Sequence, residues 1–145
     1  MTHESTLRRT LMIVLGFNAL SQIGGCIGLI TGAINPGLSL LNGTPFADYM
    51  MPGLILGAAG VVSLVALALV WLAGRLTGDF AGVFSGGVTA GWIVGEVILL
   101  GVISWPLQAL YLVTGVVAFG LAAWLWLADW EQDRPHQSTH THAAA

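Results

Sequence analysis

Leu54-Ile55-Leu56-Gly57-Ala58-Ala59-Gly60-Val61-Val62-Ser63-Leu64-Val65-Ala66-Leu67-Ala68-Leu69-Val70-Trp71-Leu72-Ala73 contains no charge and no proline, and Ser63 is its one hydroxyl. About 20 apolar residues rising ~1.5 Å each are enough for a helix to cross a hydrocarbon core of ~30 Å. A membrane β-strand alternates apolar and polar positions with a period of two. The continuous apolarity from Leu64 to Leu72 does not alternate, so the run reads as a transmembrane helix.

The same pattern extends in both directions. No charged residue lies between Arg9 and Asp48, between Asp48 and Arg75, or between Glu96 and Asp129. Breakers divide these silent stretches: Asn35-Pro36-Gly37, Pro45, Met51-Pro52-Gly53 and Ser104-Trp105-Pro106. Proline lacks the backbone donor a helix needs, and glycine favours turns. Four spans result, over about residues 11–33, 54–73, 83–103 and 107–128. The expected fold is all-α, a transmembrane four-helix bundle with a polar lead at 1–10 and a disordered cytoplasmic tail at 129–145.

Composition agrees. Of 145 residues, 56% are apolar and only 8% charged, far below the roughly one quarter typical of soluble domains. The bilayer is therefore the expected partner, and a net charge of −3 points to no nucleic acid. Cys26 is the single cysteine, which excludes an internal disulfide and fits inert packing within a span.

Arg8 and Arg9 precede the first span, Arg75 separates the second and third, and Arg134 follows the fourth. With four crossings these all fall on one side. The positive-inside rule then makes both termini of this multi-pass protein cytoplasmic. Trp71, Trp124, Trp126 and Trp130 would stand at the inner interface and Trp105 at the outer. A cleaved signal ending at Thr31-Gly32-Ala33 is the competing reading of the first span. The length of the apolar segment and the three later spans weigh against it.

Candidate functional residues are those that lipid tolerates least. Glu96 is expected about twelve residues into the third span, ~18 Å deep and near the midplane. A charge there costs ~2.5–3.5 kcal/mol on insertion scales, so the carboxyl should face protein or water. Gln22, Ser63 and Asn18 are placed by depth as partners in one polar cluster with Glu96. Three glycine series with a spacing of four, Gly24, Gly28, Gly32, then Gly78, Gly82, Gly86, and Gly87, Gly91, Gly95, each share a helix face and predict close packing. In the outer loop Asp48 and Tyr49 precede the second span, and Asp48 suits the positive end of that helix. Gln108 and Tyr111, three apart, share one face at the outer end of the fourth span.

No phosphate-binding loop, helical metal-ligand pair or Ser-His-Asp set is present, so neither a cofactor, a metal nor an enzyme is expected. His136, His140 and His142 lie in the tail, where nothing orders them into a metal site. Two functions fit. One is a structural or accessory subunit that packs through its glycine faces against itself or another membrane protein. The other is a small transporter or proton-coupled carrier built on Glu96.

Through Thr44-Pro45-Phe46-Ala47-Asp48-Tyr49 with Pro52-Gly53, Gly91-Trp92 with Glu96, and Ser104 with Gln108 and Tyr111, the chain resembles small four-pass bacterial membrane proteins of DoxX-like shape. The resemblance implies a compact bundle in a bacterial inner membrane. It implies no activity, substrate or cofactor, and adds interest to Glu96 and Gln108.

Overall fold

The structure, a computed structural model, describes residues 2–101 and 105–132. It contains four long helices: α1 (Thr2–Thr31), α2 (Met50–Leu72), α3 (Arg75–Leu100) and α4 (Trp105–Gln132). A 3₁₀ turn at Leu38–Leu41 interrupts the α1–α2 connection, and no strand occurs among the described residues. All four helices are long and apolar enough to cross a membrane. The protein is thus a transmembrane four-helix bundle. Consecutive helices pack side by side, and α4 closes the ring on α1.

Each helix turns one stripe inward at alternating spacings of three and four, the spacing that keeps residues on one face. In α1 the stripe includes Leu11, Leu15, Asn18 and Gln22, and in α2 Ala59, Ser63, Ala66 and Val70. In α3 it includes Asp79, Ser85, Thr89 and Ile93, and in α4 Ala118, Ala122, Leu125 and Asp129. All of these are buried. Large apolar side chains point outward instead, with Ile13 71% exposed, Leu20 79% and Leu72 76%. A soluble domain would place them inside; hydrocarbon is the solvent in which this arrangement is stable.

Glycine permits the closest approaches, at one of the expected series and not at the other two. A Cβ on Gly86 would strike the backbone of Phe119, and one on Gly115 the backbone of Ala90, so α3 and α4 touch main chain to main chain. Gly82 faces Ala122 and Leu11, and Gly78 abuts the backbone of Leu69 and Val70. Gly53, Gly57 and Gly60 receive the side chains of α1. By contrast Gly24, Gly91 and Gly95 have nothing within 4 Å of an added Cβ, and Gly87 meets only Phe119 at 3.8 Å. Gly28 faces Ile34, and Gly32 is the left-handed residue (φ 76°) just past α1. The series through Gly28 and through Gly91 therefore do not join helices within this chain, whereas that of Gly78, Gly82 and Gly86 does. A spacing of four marks a face but not the direction in which that face points.

The helix boundaries also move. Expected to start at 11, the first helix already runs from Thr2, and the third begins at Arg75 instead of 83. Both lead segments carry charges that looked incompatible with a bundle interior, but those charges neutralise one another across helices. The second helix starts at Met50, with Pro52 in its first turn, where the missing N–H costs nothing. The fourth continues to Gln132, so Asp129 belongs to the bundle and not to a disordered tail. Ser104, the side chain of Trp105, residues 133–145 and the tail histidines lie outside the described residues.

Candidate functional site

Three polar levels occupy the bundle. At the end where α1 begins and α4 ends, Arg8 Nη2 lies 2.9 Å from Asp79 Oδ1 and donates to Oδ2 at 2.9 Å. The same nitrogen is 3.5 Å from Asp129 Oδ2. Arg75 pairs with Glu4 at 2.9 Å and with Asp129 at 3.5 Å. All four helices or their ends converge here. Three carboxylates meet two guanidinium groups, and Asp79 is fully buried.

The middle level is uncharged. Gln22 Nε2 donates to Thr89 Oγ1 at 3.1 Å, and Ser63 Oγ lies 3.5 Å from Gln22 Oε1. Ser85 Oγ donates to Ser63 Oγ at 3.0 Å, so α1, α2 and α3 share one chain of hydrogen bonds. Thr114 Oγ1 of α4 donates to Asn18 Oδ1 at 2.8 Å. Asn18 Nδ2 is buried without a partner among the described residues. In hydrocarbon such bonds are worth ~0.6–2 kcal/mol each.

The third level lies at the opposite end and contains Glu96. The depth argument that placed this residue beside Gln22 fails because α3 starts at Arg75. Glu96 is about 21 residues, or ~32 Å, along that helix, well past the midplane. Its partner is Gln108, whose Nε2 donates to Glu96 Oε1 at 3.2 Å and to the Gly101 carbonyl at 3.3 Å. Of the expected cluster, Gln22 and Ser63 come together, Asn18 pairs separately with Thr114, and Glu96 belongs elsewhere.

Glu96 and Gln108 border a cavity of about 200 Å³. Leu29, Leu56, Ile93 and Leu107 form apolar walls, and the rings of Tyr49, Trp92 and Tyr111 also line it. Ile34 and Pro36 cover it from the α1–α2 connection. That cover is folded and not loose. Tyr49 Oη donates to the Gly37 carbonyl at 2.8 Å, and Asn35 Oδ1 accepts from Gly37 N–H at 3.1 Å. Gly37 has a φ of 92°, a conformation that side chains oppose. Asp48 Oδ1 accepts from Met50 N–H at 2.9 Å, an Asx turn that leads the chain into α2. Asp48 also lines a shallow depression that shares Leu29, Ile34 and Tyr49 with the cavity.

Tyr49 of the α1–α2 connection and the α4 pair Gln108 and Tyr111 thus line the same cavity as Glu96, and Asp48 borders the adjoining depression. An apolar cavity with a few convergent polar groups is the usual form of a small-molecule site. Among the described residues no group of three metal-ligating side chains exists. Sequence reasoning missed Asp79, Asp129, Ser85, Thr89 and Thr114, and took Arg8 and Arg75 only as markers of topology. A signal was present: Arg8, Leu11, Leu15, Asn18 and Gln22 follow one another at spacings of three and four, which extends the inward stripe into the charged lead.

Fold and site together define a multi-pass α-helical membrane protein with a ligand-sized cavity at one end of its bundle. No family model, curated protein or solved structure matches the chain.

Proposed function

We propose that the protein is a small solute carrier of a bacterial inner membrane, with both termini cytoplasmic and the Glu96 cavity opening toward the outer face. One observation carries this reading: an acidic side chain borders an apolar cavity of about 200 Å³ at one end of the bundle. A carboxyl in a membrane span is costly, and such residues mark substrate or proton pathways. Behind the cavity, α3 directs Thr89, Ser85 and Asp79 down the same inward stripe, separated from Glu96 by Ile93. This spacing suits stepwise passage of a proton or a polar group past short apolar constrictions. The DoxX-like resemblance is consistent with such a bundle.

The test is flux in proteoliposomes loaded with a pH-sensitive dye. A panel of small amines, neutral solutes and carboxylates is added outside. At least one class should produce a proton signal that requires the protein and is lost in Glu96→Gln. Traces matching protein-free vesicles for all classes would refute the carrier.

An accessory subunit is the second reading. It is favoured by the open faces around Gly24, Gly91 and Gly95, where the lack of side chains lets another helix approach closely. Gly91→Leu should then reduce the assembly mass measured in mild detergent by light scattering, and an unchanged mass would exclude it.

A further inference from the structure

We propose that the Glu96 cavity selects a protonated amine bearing at least one N–H, attached to an apolar body about the size of one aromatic ring. The proposal rests on the carrier reading and narrows its substrate class. It follows from the unanswered Gln108 oxygen and from the charge at this end of the bundle.

The two donor positions of the Gln108 amide are both used, toward Glu96 Oε1 and the Gly101 carbonyl. These bonds fix the amide orientation and leave Oε1 as the free atom. That oxygen is buried without a donor among the described residues, and Gln108 as a whole is only 6% exposed. A primary amide has two donors and one acceptor oxygen, so Gln108 can take a ligand only by accepting from it. Tyr49 has already spent its hydroxyl proton on the Gly37 carbonyl. The carboxyl of Glu96, as an anion, is acceptor only. A ligand head that itself only accepts, such as a carboxylate or a carbonyl, would leave the Gln108 oxygen unanswered.

Charge points the same way. Residues 32–72 and 96–111 contain Asp48 and Glu96 but no lysine, arginine or histidine. The arginines of the described residues, Arg8, Arg9 and Arg75, belong to the α1 start and the α2–α3 turn. The cavity end therefore attracts cations. The rings of Tyr49, Trp92 and Tyr111 offer negative faces that favour a cation further. Size sets the body: a cavity of about 150 Å³ accepts benzene, so about 200 Å³ holds one ring with a short aminoalkyl arm.

Calorimetry on the full chain in detergent can compare three probes that share a phenethyl body: 2-phenylethylamine, its N,N,N-trimethyl derivative and 3-phenylpropionate. The primary amine should bind the wild type at least tenfold more tightly than either of the others. The trimethyl form keeps the charge but has no N–H for Gln108, and the carboxylate reverses the charge. Glu96→Gln should weaken the amine at least tenfold. Gln108→Met should bring the primary and trimethyl forms to within about twofold of each other, and this comparison stands even if Glu96→Gln fails to fold. Equal or tighter binding of the carboxylate would overturn the amine assignment and leave the carrier standing. So would flux of neutral solutes or carboxylates alone in the proteoliposome panel. Tight binding of the trimethyl form would overturn the role given to Gln108. No binding of any probe, with no flux in that panel, would remove both readings.

Discussion

Arg8 and Asp79 are 71 residues apart in sequence, and their side chains meet at 2.9 Å. One comes from the lead before the first apolar segment and the other from the first turns of α3. Their contact ties the start of the chain into the bundle, with Asp129 of α4 beside them at 3.5 Å from the same guanidinium nitrogen. Removing Arg8 leaves the Asp79 charge buried and unanswered, which typically costs ~3–5 kcal/mol, whereas Arg8 without Asp79 keeps Asp129.

Arg8→Ala is therefore expected to destabilise the protein by about 3–5 kcal/mol, and Asp79→Ala by less, because Arg8 retains Asp129. The double variant should lose less than the sum of the two, because the carboxylate orphaned by Arg8→Ala is gone. Unfolding by SDS titration in mixed micelles, followed by circular dichroism, measures all three. Additive losses would mean that the pair does not act as a unit.

Glycine substitutions separate inner from outer faces. Gly86→Ala forces a methyl group into the backbone of Phe119 and should cost about 1–3 kcal/mol. Gly91→Ala meets open space and should be neutral, or stabilising by up to ~1 kcal/mol through helix propensity. Thermal melts of the two variants in one detergent give the comparison. Equal destabilisation would contradict the packing of α3 on α4.

Gln22→Leu removes the bond to Thr89 and the contact with Ser63 at 3.5 Å. At ~0.6–2 kcal/mol per bond the expected loss is about 1–3 kcal/mol. Ser85→Ala deletes a single donor, to Ser63, and should cost about 1 kcal/mol or less. Gln22→Leu losing less than Ser85→Ala in the SDS titration would show that Gln22 is not the hub of this level.

Tyr49→Phe keeps the ring on the cavity wall but removes the hydroxyl bond to Gly37. Global stability should fall by only ~0.5–1.5 kcal/mol. Amide hydrogen exchange should accelerate at Leu40, whose N–H bonds to the Gly37 carbonyl at 3.3 Å, and at neighbouring residues. Unchanged exchange there would mean that the connection is held by other contacts.

Much was legible in the chain before any tertiary contact was known. Hydrophobic length set four helices, because a backbone in hydrocarbon must satisfy its own hydrogen bonds and long charge-free runs can do so only as helices. The prolines and glycines marked the connections. Glu96, Gln108, Tyr111, Asp48 and Tyr49 were singled out as polar or aromatic groups at or beside the spans, and all stand at the cavity end. What one-dimensional depth could not give was rotation and partner. Placing Glu96 beside Gln22 assumed a helix start eight residues too late, because Asp79 and Arg75 looked like interface charges. Only the folded bundle brings Arg8, Asp79 and Asp129 close enough to neutralise one another. Likewise a glycine period of four defines a stripe, but the neighbouring helix decides whether that stripe is buried, as at Gly82 and Gly86, or open, as at Gly91 and Gly95. Local chemistry thus determined which segments enter the membrane. The side-chain geometry between helices decided which of their polar groups meet.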